Sequence, residues 1–213
     1  MNILSWNVRG LNKASRQDEV ARYLRKHSVD FCGLLETKIR AHKVSAVMAK
    51  KFSRFSVVTN NSVDSRGRVW VVWNPLTVSV TMLGCTRQAV ICRVTHFARG
   101  LTLVVGFVYA ANDATGRQCL WSDMQRWASQ FQSEPYCVIG DFNEILRVEE
   151  RVGCVVLPAG AREFQNCLEQ AGMVELNSIG SVFTWTNRSE GDMIRASKLD
   201  RAVVNNEWLA RFG

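Results

Sequence analysis

The stretch from Ala89 to Tyr109, AVICRVTHFARGLTLVVGFVY, decides the fold. It holds two runs of β-branched and apolar residues, 89–96 and 101–109, parted by a short break that contains Gly100. Runs of this kind read as consecutive antiparallel strands. The same texture lies upstream at 55–59, 68–73 (RVWVVW) and 77–82. Downstream, 136–140 (YCVIG), 182–186 and 198–204 read as further strands. Towards the N-terminus, 2–8 and 30–36 (DFCGLLE) are short buried strands, the second ending in an acid. Helical spacing governs 16–27, through Val20, Ala21 and Leu24, and 116–132, through Leu120, Trp121, Met124, Trp127, Ala128 and Phe131. Residues 41–51 form another helix, and 161–171 one more, closed by Gly172 as its C′ residue.

Strand runs punctuated by a few long helices predict a four-layer α/β sandwich: two mixed, mainly antiparallel sheets, with helices on their outer faces. A dinucleotide-binding arrangement fits poorly. Helices do not alternate regularly with strands, and no glycine-rich phosphate loop follows the first one. With 213 residues, no repeat and only three prolines, one domain spanning 1–213 is the expectation.

The formal net charge is +8 and the pI about 9.4, which favours an anionic partner, nucleic acid above all. Arginine outnumbers lysine, and its planar fork suits phosphate oxygens. The cations are scattered, so folding must assemble any phosphate track. Seven cysteines without a CxxC or a Cys/His cluster speak against zinc and for reduced thiols in the nucleus or cytoplasm. The first residues, MNILSWN, lack the features of a secretion signal, and no apolar run is long enough to span a bilayer.

Polar residues placed at the ends of apolar strands are the candidates for chemistry, because strand ends are where loops gather. Glu36 closes a strand; it is a surface carboxylate or a ligand for a hard cation such as magnesium. Asp141 and Asn143 follow Gly140; they form a turn bonded to its own backbone, or a base and a phosphate-side donor. Asn7 orients a neighbouring carboxylate or begins a turn before Gly10. Asp200 holds a histidine or pairs with Lys198 or Arg201, and Tyr109 is core or a phosphate contact.

In order along the chain, SWNVRGLN (5–12), LLETK (34–38), GFVYAAN (106–112), GDFN (140–143), FTWTN (183–187) and SKLD (197–200) resemble the endonuclease/exonuclease/phosphatase superfamily. The likeness covers nearly the whole chain. It is nearest to the endonuclease domain of plant non-LTR (LINE-type) retrotransposons, and is similar at greater distance to apurinic/apyrimidinic endonucleases. The resemblance implies hydrolysis of a DNA phosphodiester with Mg2+ or Mn2+, nicking target DNA for retrotransposition, in a protein fused to a reverse transcriptase. It implies Glu36 and Asn7 at the metal. Asp141, Asn143, Tyr109 and Asp200 would be the catalytic group, with Asn112, Thr184 and Arg151 on DNA or phosphate.

The resemblance also implies a Ser-Asp-His element beyond SKLD, where this chain stops at Gly213. A C-terminally incomplete domain, lacking its last strand and a histidine for Asp200, is therefore expected. His27, His42 and His96 precede GDFN and read as helix-end, surface and strand residues. Two other functions fit the same pattern: a catalytically impaired nucleic-acid-binding remnant, and a phosphoesterase acting on lipid or inositol phosphates.

Overall fold

The computed structural model describes residues 1–187 and 195–213. The fold is α/β, with two large β-sheets flanked by helices. It comprises two compact units, Met1–Tyr109 and Ala110–Gly213.

The first unit opens with β1 (Ile3–Asn7), α1 (Ala14–Lys26) and β2 (Phe31–Leu35). β1 and β2 are parallel neighbours, and a parallel pair needs a crossover such as α1. After α2 (Ala41–Lys51) come β3 (Ser56–Thr59) and β4 (Val69–Trp73), which complete a mixed sheet in the order β1-β2-β4-β3. β5 (Val78–Cys85), β6 (Ala89–His96) and β7 (Leu101–Tyr109) follow as an antiparallel meander. β5 runs past its expected end at 82, through a register shift between Met82 and Gly84.

Alternation along β2 shows how the layers form. Cys32 and Leu34 join the core that Val20, Ala21 and Leu24 of α1 share with Trp70 and Val72 of β4. Phe31 points the other way and meets Phe107 of β7, ring centroids 5.0 Å apart. Gly33 follows on the same face, where an added Cβ would lie 2.1 Å from the Phe107 ring. The missing side chain is what allows β2 to approach β7.

The second unit contains α3 (Ala114–Gln130), β8 (Tyr136–Asp141), α4 (Ala159–Gln170), β9 (Val174–Glu175), β10 (Trp185–Thr186), β11 (Ala196–Ser197), β12 (Asp200–Val204) and α5 (Asn206–Phe212). β12 lies between β8 and β9, antiparallel to both. Trp121 of α3, Phe142 and Phe164 of α4 stack in series, Trp121 on Phe164 at 4.5 Å and Phe142 on Phe164 at 5.0 Å. Gly172 follows α4 in the left-handed conformation, at φ 60. β9 and α5 were not anticipated from sequence: two residues carry too little periodicity, and α5 is set by a tertiary cap. The Asn205 carboxamide accepts from Trp208 N and from Tyr136 N, both at 3.0 Å. The strand expected at 182–186 shrinks to Trp185–Thr186, and the last strand starts at Asp200 rather than 198. No helix among the described residues is long and apolar enough to cross a membrane.

Candidate active site

Asn7 and Glu36 are brought together in the first unit by the parallel β1–β2 pair. Its last rung is Asn7 against Leu35, one residue before Glu36. The pairing then continues without strand geometry: Val8 N donates to Leu35 O (3.0 Å), Gly10 N to Glu36 O (2.8 Å) and Leu11 N to Thr37 O (2.8 Å). Left-handed residues make this possible. Arg9 (φ 49), Glu36 (φ 58) and Lys38 (φ 59) all lie in this pair of loops. Non-glycine residues seldom adopt this conformation, and they persist where surrounding bonds enforce it. Thr37 is one enforcing residue: fully buried, it donates its hydroxyl to Gly67 O, and its N–H bonds Arg68 O at 3.2 Å.

Asn7 forms the turn anticipated for it, accepting from Arg9 N at 3.0 Å. The Glu36 carboxylate, largely buried, is ion-paired with the more exposed Lys38 ammonium at 2.6 Å. Beside these loops is a cavity of about 410 Å³ lined by Arg9, Asn12, Lys13 and Arg16, with Glu19 its one acidic wall. Tyr109 closes β7, half-buried, its N–H bonded to Gln88 O at 2.8 Å.

In the second unit Asp141 ends β8, and its cross-strand partner on β12 is Asp200. Directly opposed residues place their side chains on one face, with Cβ atoms about 4.5–5.5 Å apart, where like charges repel. Lys198 and Arg201, one of the two kinds of partner the sequence allows for Asp200, bond Glu175 and Glu150: Lys198–Glu175 at 2.8 Å, Arg201–Glu150 at 2.9 Å and Arg201–Glu175 at 3.1 Å. Asn143 N donates to Asp141 Oδ1 (3.0 Å), while Asn143 Nδ2 donates to Ala110 O (2.7 Å). Ala110 N returns a bond to Asp141 O at 2.8 Å. The left-handed Asn143 (φ 50) closes this ring. An amide nitrogen carries two N–H groups, so the bond to Ala110 occupies one of them.

Thr184 is exposed, yet its hydroxyl accepts from both Leu199 N and Asp200 N at 3.0 Å, fixing the entry into β12. Asn112 is exposed, with its carbonyl taken by Arg117 at 2.8 Å. Arg151 reaches Ser197 Oγ through Nε (3.2 Å) and Glu144 through Nη2 (3.7 Å).

Sequence reasoning passed over the acids behind GDFN. Glu144 is buried and paired with buried Arg117 at 2.6 Å. Glu150 accepts from Arg201, whose side chain is fully enclosed. Burial opposes ionisation of Glu150, but bonds from Arg201 and from the Leu146 and Arg147 amides outweigh it and hold its carboxyl below the usual range. The available signal was a pair of acids, Glu144 and Glu150, on either side of the apolar-rich ILRV within GDFNEILRVEER. The three histidines fall where expected: His27 caps α1 and packs on Tyr23, His42 is exposed on α2, and His96 ends β6. All seven cysteines are unbridged thiols. Burial pushes Cys137 up to about 12, so it is no nucleophile at neutral pH.

A family model described as "Endonuclease/Exonuclease/phosphatase family" matches residues 4–212. The chain belongs to this family. Among solved structures, the endonuclease domain of TRAS1, a telomere-specific non-LTR retrotransposon, is similar at 14% identity and TM-score 0.74, covering 98% of this chain and 86% of that one. The AP endonuclease LMAP from Leishmania major is similar at 16% identity and TM-score 0.70, over 95% and 78% of the two chains. TDP2 of D. rerio, solved with a single-strand DNA product, gives 18% and 0.63 over 95% and 82%. At these identities the likeness is one of fold. No curated protein matches the sequence significantly.

The family implies a divalent cation, and the donors suit a hard one. Among the described residues no group of three or more His, Cys, Asp or Glu gathers as a metal cage. Magnesium needs none, since it keeps several waters and takes one or two carboxylates with substrate phosphate. Glu36 supplies one oxygen donor of that kind, largely buried and ion-paired with Lys38.

Proposed function

We propose that this chain is a Mg2+- or Mn2+-dependent phosphodiester hydrolase, a DNA endonuclease that nicks target DNA for retrotransposition. The observation that carries the reading is the acidic face of Asp141 and Asp200, directly opposed across β8 and β12 and bordered by the Asn143 turn. Such a face suits a site that receives a proton from water and binds cations. The basic cavity beside Asn7 and the surplus of cations favour a polyanion over a small phosphate ester.

In this reading Glu36 would hold the cation, with Asn7 beside it, and the cation would supply charge neutralisation and polarisation at a phosphoryl oxygen. Asp141 accepts the proton of the attacking water as the water oxygen bonds phosphorus, the P–O bond to the departing sugar oxygen breaks, that oxygen takes a proton from solvent, and Asp200 completes the acidic face. Asn143 and Tyr109 donate hydrogen bonds to the phosphate oxygens as negative charge develops. Asn112 supports the phosphate site, Thr184 fixes the β12 entry where DNA passes, and Arg151 lies along the same track. The retrotransposon assignment, with a reverse transcriptase fused in the same polyprotein, rests on the motif order in the sequence.

The Glu36–Lys38 ion pair favours one second reading, a nucleic-acid binder whose metal ligand is occupied. Nicking of supercoiled plasmid with Mg2+ and with EDTA separates the two. The hydrolase converts plasmid to open circles with Mg2+ alone, and Asp141→Ala slows this about 10²–10⁴-fold. DNA retention that weakens with salt, without any metal-dependent nicking, would establish the binder instead.

A further inference from the structure

Glu144 and Arg117 form a buried ion pair that the proposed reaction does not use. Arg117 Nη2 meets Glu144 Oε2 at 2.6 Å, and both side chains are almost entirely enclosed. The other terminal nitrogen of the same guanidinium donates to Ala111 O (3.1 Å) and Asn112 O (2.8 Å). The second carboxylate oxygen of Glu144 accepts from Ile145 N at 3.0 Å. One planar cation therefore grips the Ala110–Asn112 loop, and its partner acid sits in the chain directly after Asn143.

Two further observations show a site built around this pair. An added Cβ at Gly160 would lie 2.3 Å from Glu144 Oε2 and 3.1 Å from Arg117 Nη2, so α4 supplies a bare backbone where the ions meet. Arg151 approaches the other Glu144 oxygen at 3.7 Å, and Arg201 Nη2 donates to the Glu144 carbonyl at 3.1 Å. Glu144 thus links the Asn143 turn, the loop carrying Asn112 and the strand carrying Asp200.

Burying two charges is costly, and a well-packed apolar pair would serve stability as well or better. What an apolar pair lacks is direction: it makes no bonds to the carbonyls of 111 and 112 or to the amide of 145. We propose that Arg117 and Glu144 are positioning residues, which hold the Ala110–Asn112 loop against the Asn143 turn so that Asn143 Nδ2 meets Ala110 O at 2.7 Å. The proposal deepens the phosphodiesterase reading and rests on it for its catalytic consequence. Its geometric content is testable without turnover.

The experiment compares wild-type protein, R117M, E144L and the double variant R117M/E144L. Each single variant strands one buried charge and lowers the melting temperature. The double variant removes both charges and recovers most of that loss. Its informative readout is the side-chain amide resonance of Asn143, assigned by its disappearance in N143D. In the double variant this resonance moves to the position of a solvated amide, because the bond to Ala110 O is no longer held. Metal-dependent nicking falls about 10²-fold in kcat with KM little changed, the size expected of a misplacement near 1 Å. Arg126→Ala, which breaks an exposed pair on the same helix, leaves both readouts unchanged.

An Asn143 resonance at its wild-type position in a well-folded double variant overturns the proposal, whatever the nicking shows. A wild-type protein that does not nick defeats the phosphodiesterase reading alone. The resonance then still decides whether the pair does the positioning. R117K keeps the charge without the planar fork: a resonance still displaced in R117K supports the directed guanidinium, and a wild-type resonance there overturns it in favour of charge alone.

Discussion

Replacing Arg201 by methionine tests whether the network under β12 behaves as a buried assembly or a screened one. The arginine side chain is wholly inaccessible and reaches Glu150 at 2.9 and 3.2 Å, Glu175 at 3.1 Å, and the carbonyls of Glu144 and Lys198 at 3.1 and 2.8 Å. Methionine fills much of the same volume beside Phe164, over which the guanidinium lies at 5.7 Å. The substitution therefore removes charge and donors more than packing. Removing one member of a buried ion pair costs about 3–5 kcal/mol, because the partner is left charged in a poor solvent. Glu175 retains Lys198 at 2.8 Å, so the uncompensated acid is Glu150, and a single such penalty applies. For a chain of this length ~1 kcal/mol moves the melting temperature by roughly 2–4 °C, giving a fall of about 6–20 °C. Thermal unfolding followed by far-ultraviolet circular dichroism at pH 7 reads this directly. A second variant, R201M/E150L, should regain most of the loss. If R201M melts within about 2 °C of wild type, the network is solvated and its members carry surface-pair energies of roughly 0–1 kcal/mol. The ions under β12 would then not behave as buried partners, and the penalty worked out for Glu150 would not exist.

Two other outcomes follow from the packing and the charges. Gly33→Ala places a Cβ 2.1 Å from the Phe107 ring and should cost about 1–3 kcal/mol by overpacking; Phe107→Leu should relieve part of that cost, and additive denaturation midpoints in the double mutant would contradict the contact. Glu150 has a depressed carboxyl, so its stabilisation is complete above its unfolded pKa near 4.5 and is lost as pH falls through the lower folded value. Glu150→Gln should accordingly melt lower than wild type at pH 7, with the gap closing below pH 4.5; a gap that widens in acid would mean that folding raises the Glu150 carboxyl instead of lowering it.

Most elements are visible in the sequence because burial in this chain follows the period of the backbone. β6 and β7 match 89–96 and 101–109, and α2 spans 41–51 as expected, although none of its residues is fully buried. What could not be seen was set by partners distant in the chain. α5 depends on Asn205, whose carboxamide also closes onto Tyr136 N, across 69 residues. The Thr184 hydroxyl accepts from the amides of 199 and 200, bonds no local pattern encodes. The same holds for Glu144 and Arg117, 27 residues apart.

The site residues teach a different lesson. For Asp141–Asn143 and for Asn7 the sequence offered two competing readings, a self-bonded turn or a functional group. The turn is present in both places: Asn143 N on Asp141 Oδ1, and Arg9 N on Asn7 Oδ1, each at 3.0 Å. The readings do not in fact compete. Asp141 stands beside Asp200 at the last rung of β8, and the Asp-x-Asn turn is where the chain leaves the strand. It carries Asn143 into the left-handed region and aims its amide at Ala110, the residue after Tyr109. Short polar side chains are chosen at strand ends because they stabilise the very turns that stop the strand. A carboxylate has two oxygens and a carboxamide both an oxygen and an amino group, and the turn itself uses only one of them. Local turn chemistry at these positions is thus compatible with the catalytic role proposed for Asp141, and Asp141→Asn, which keeps a turn acceptor and removes the proposed base, isolates one role from the other: melting should stay near wild type while metal-dependent nicking falls, and an equal loss of both would tie Asp141 to the turn alone.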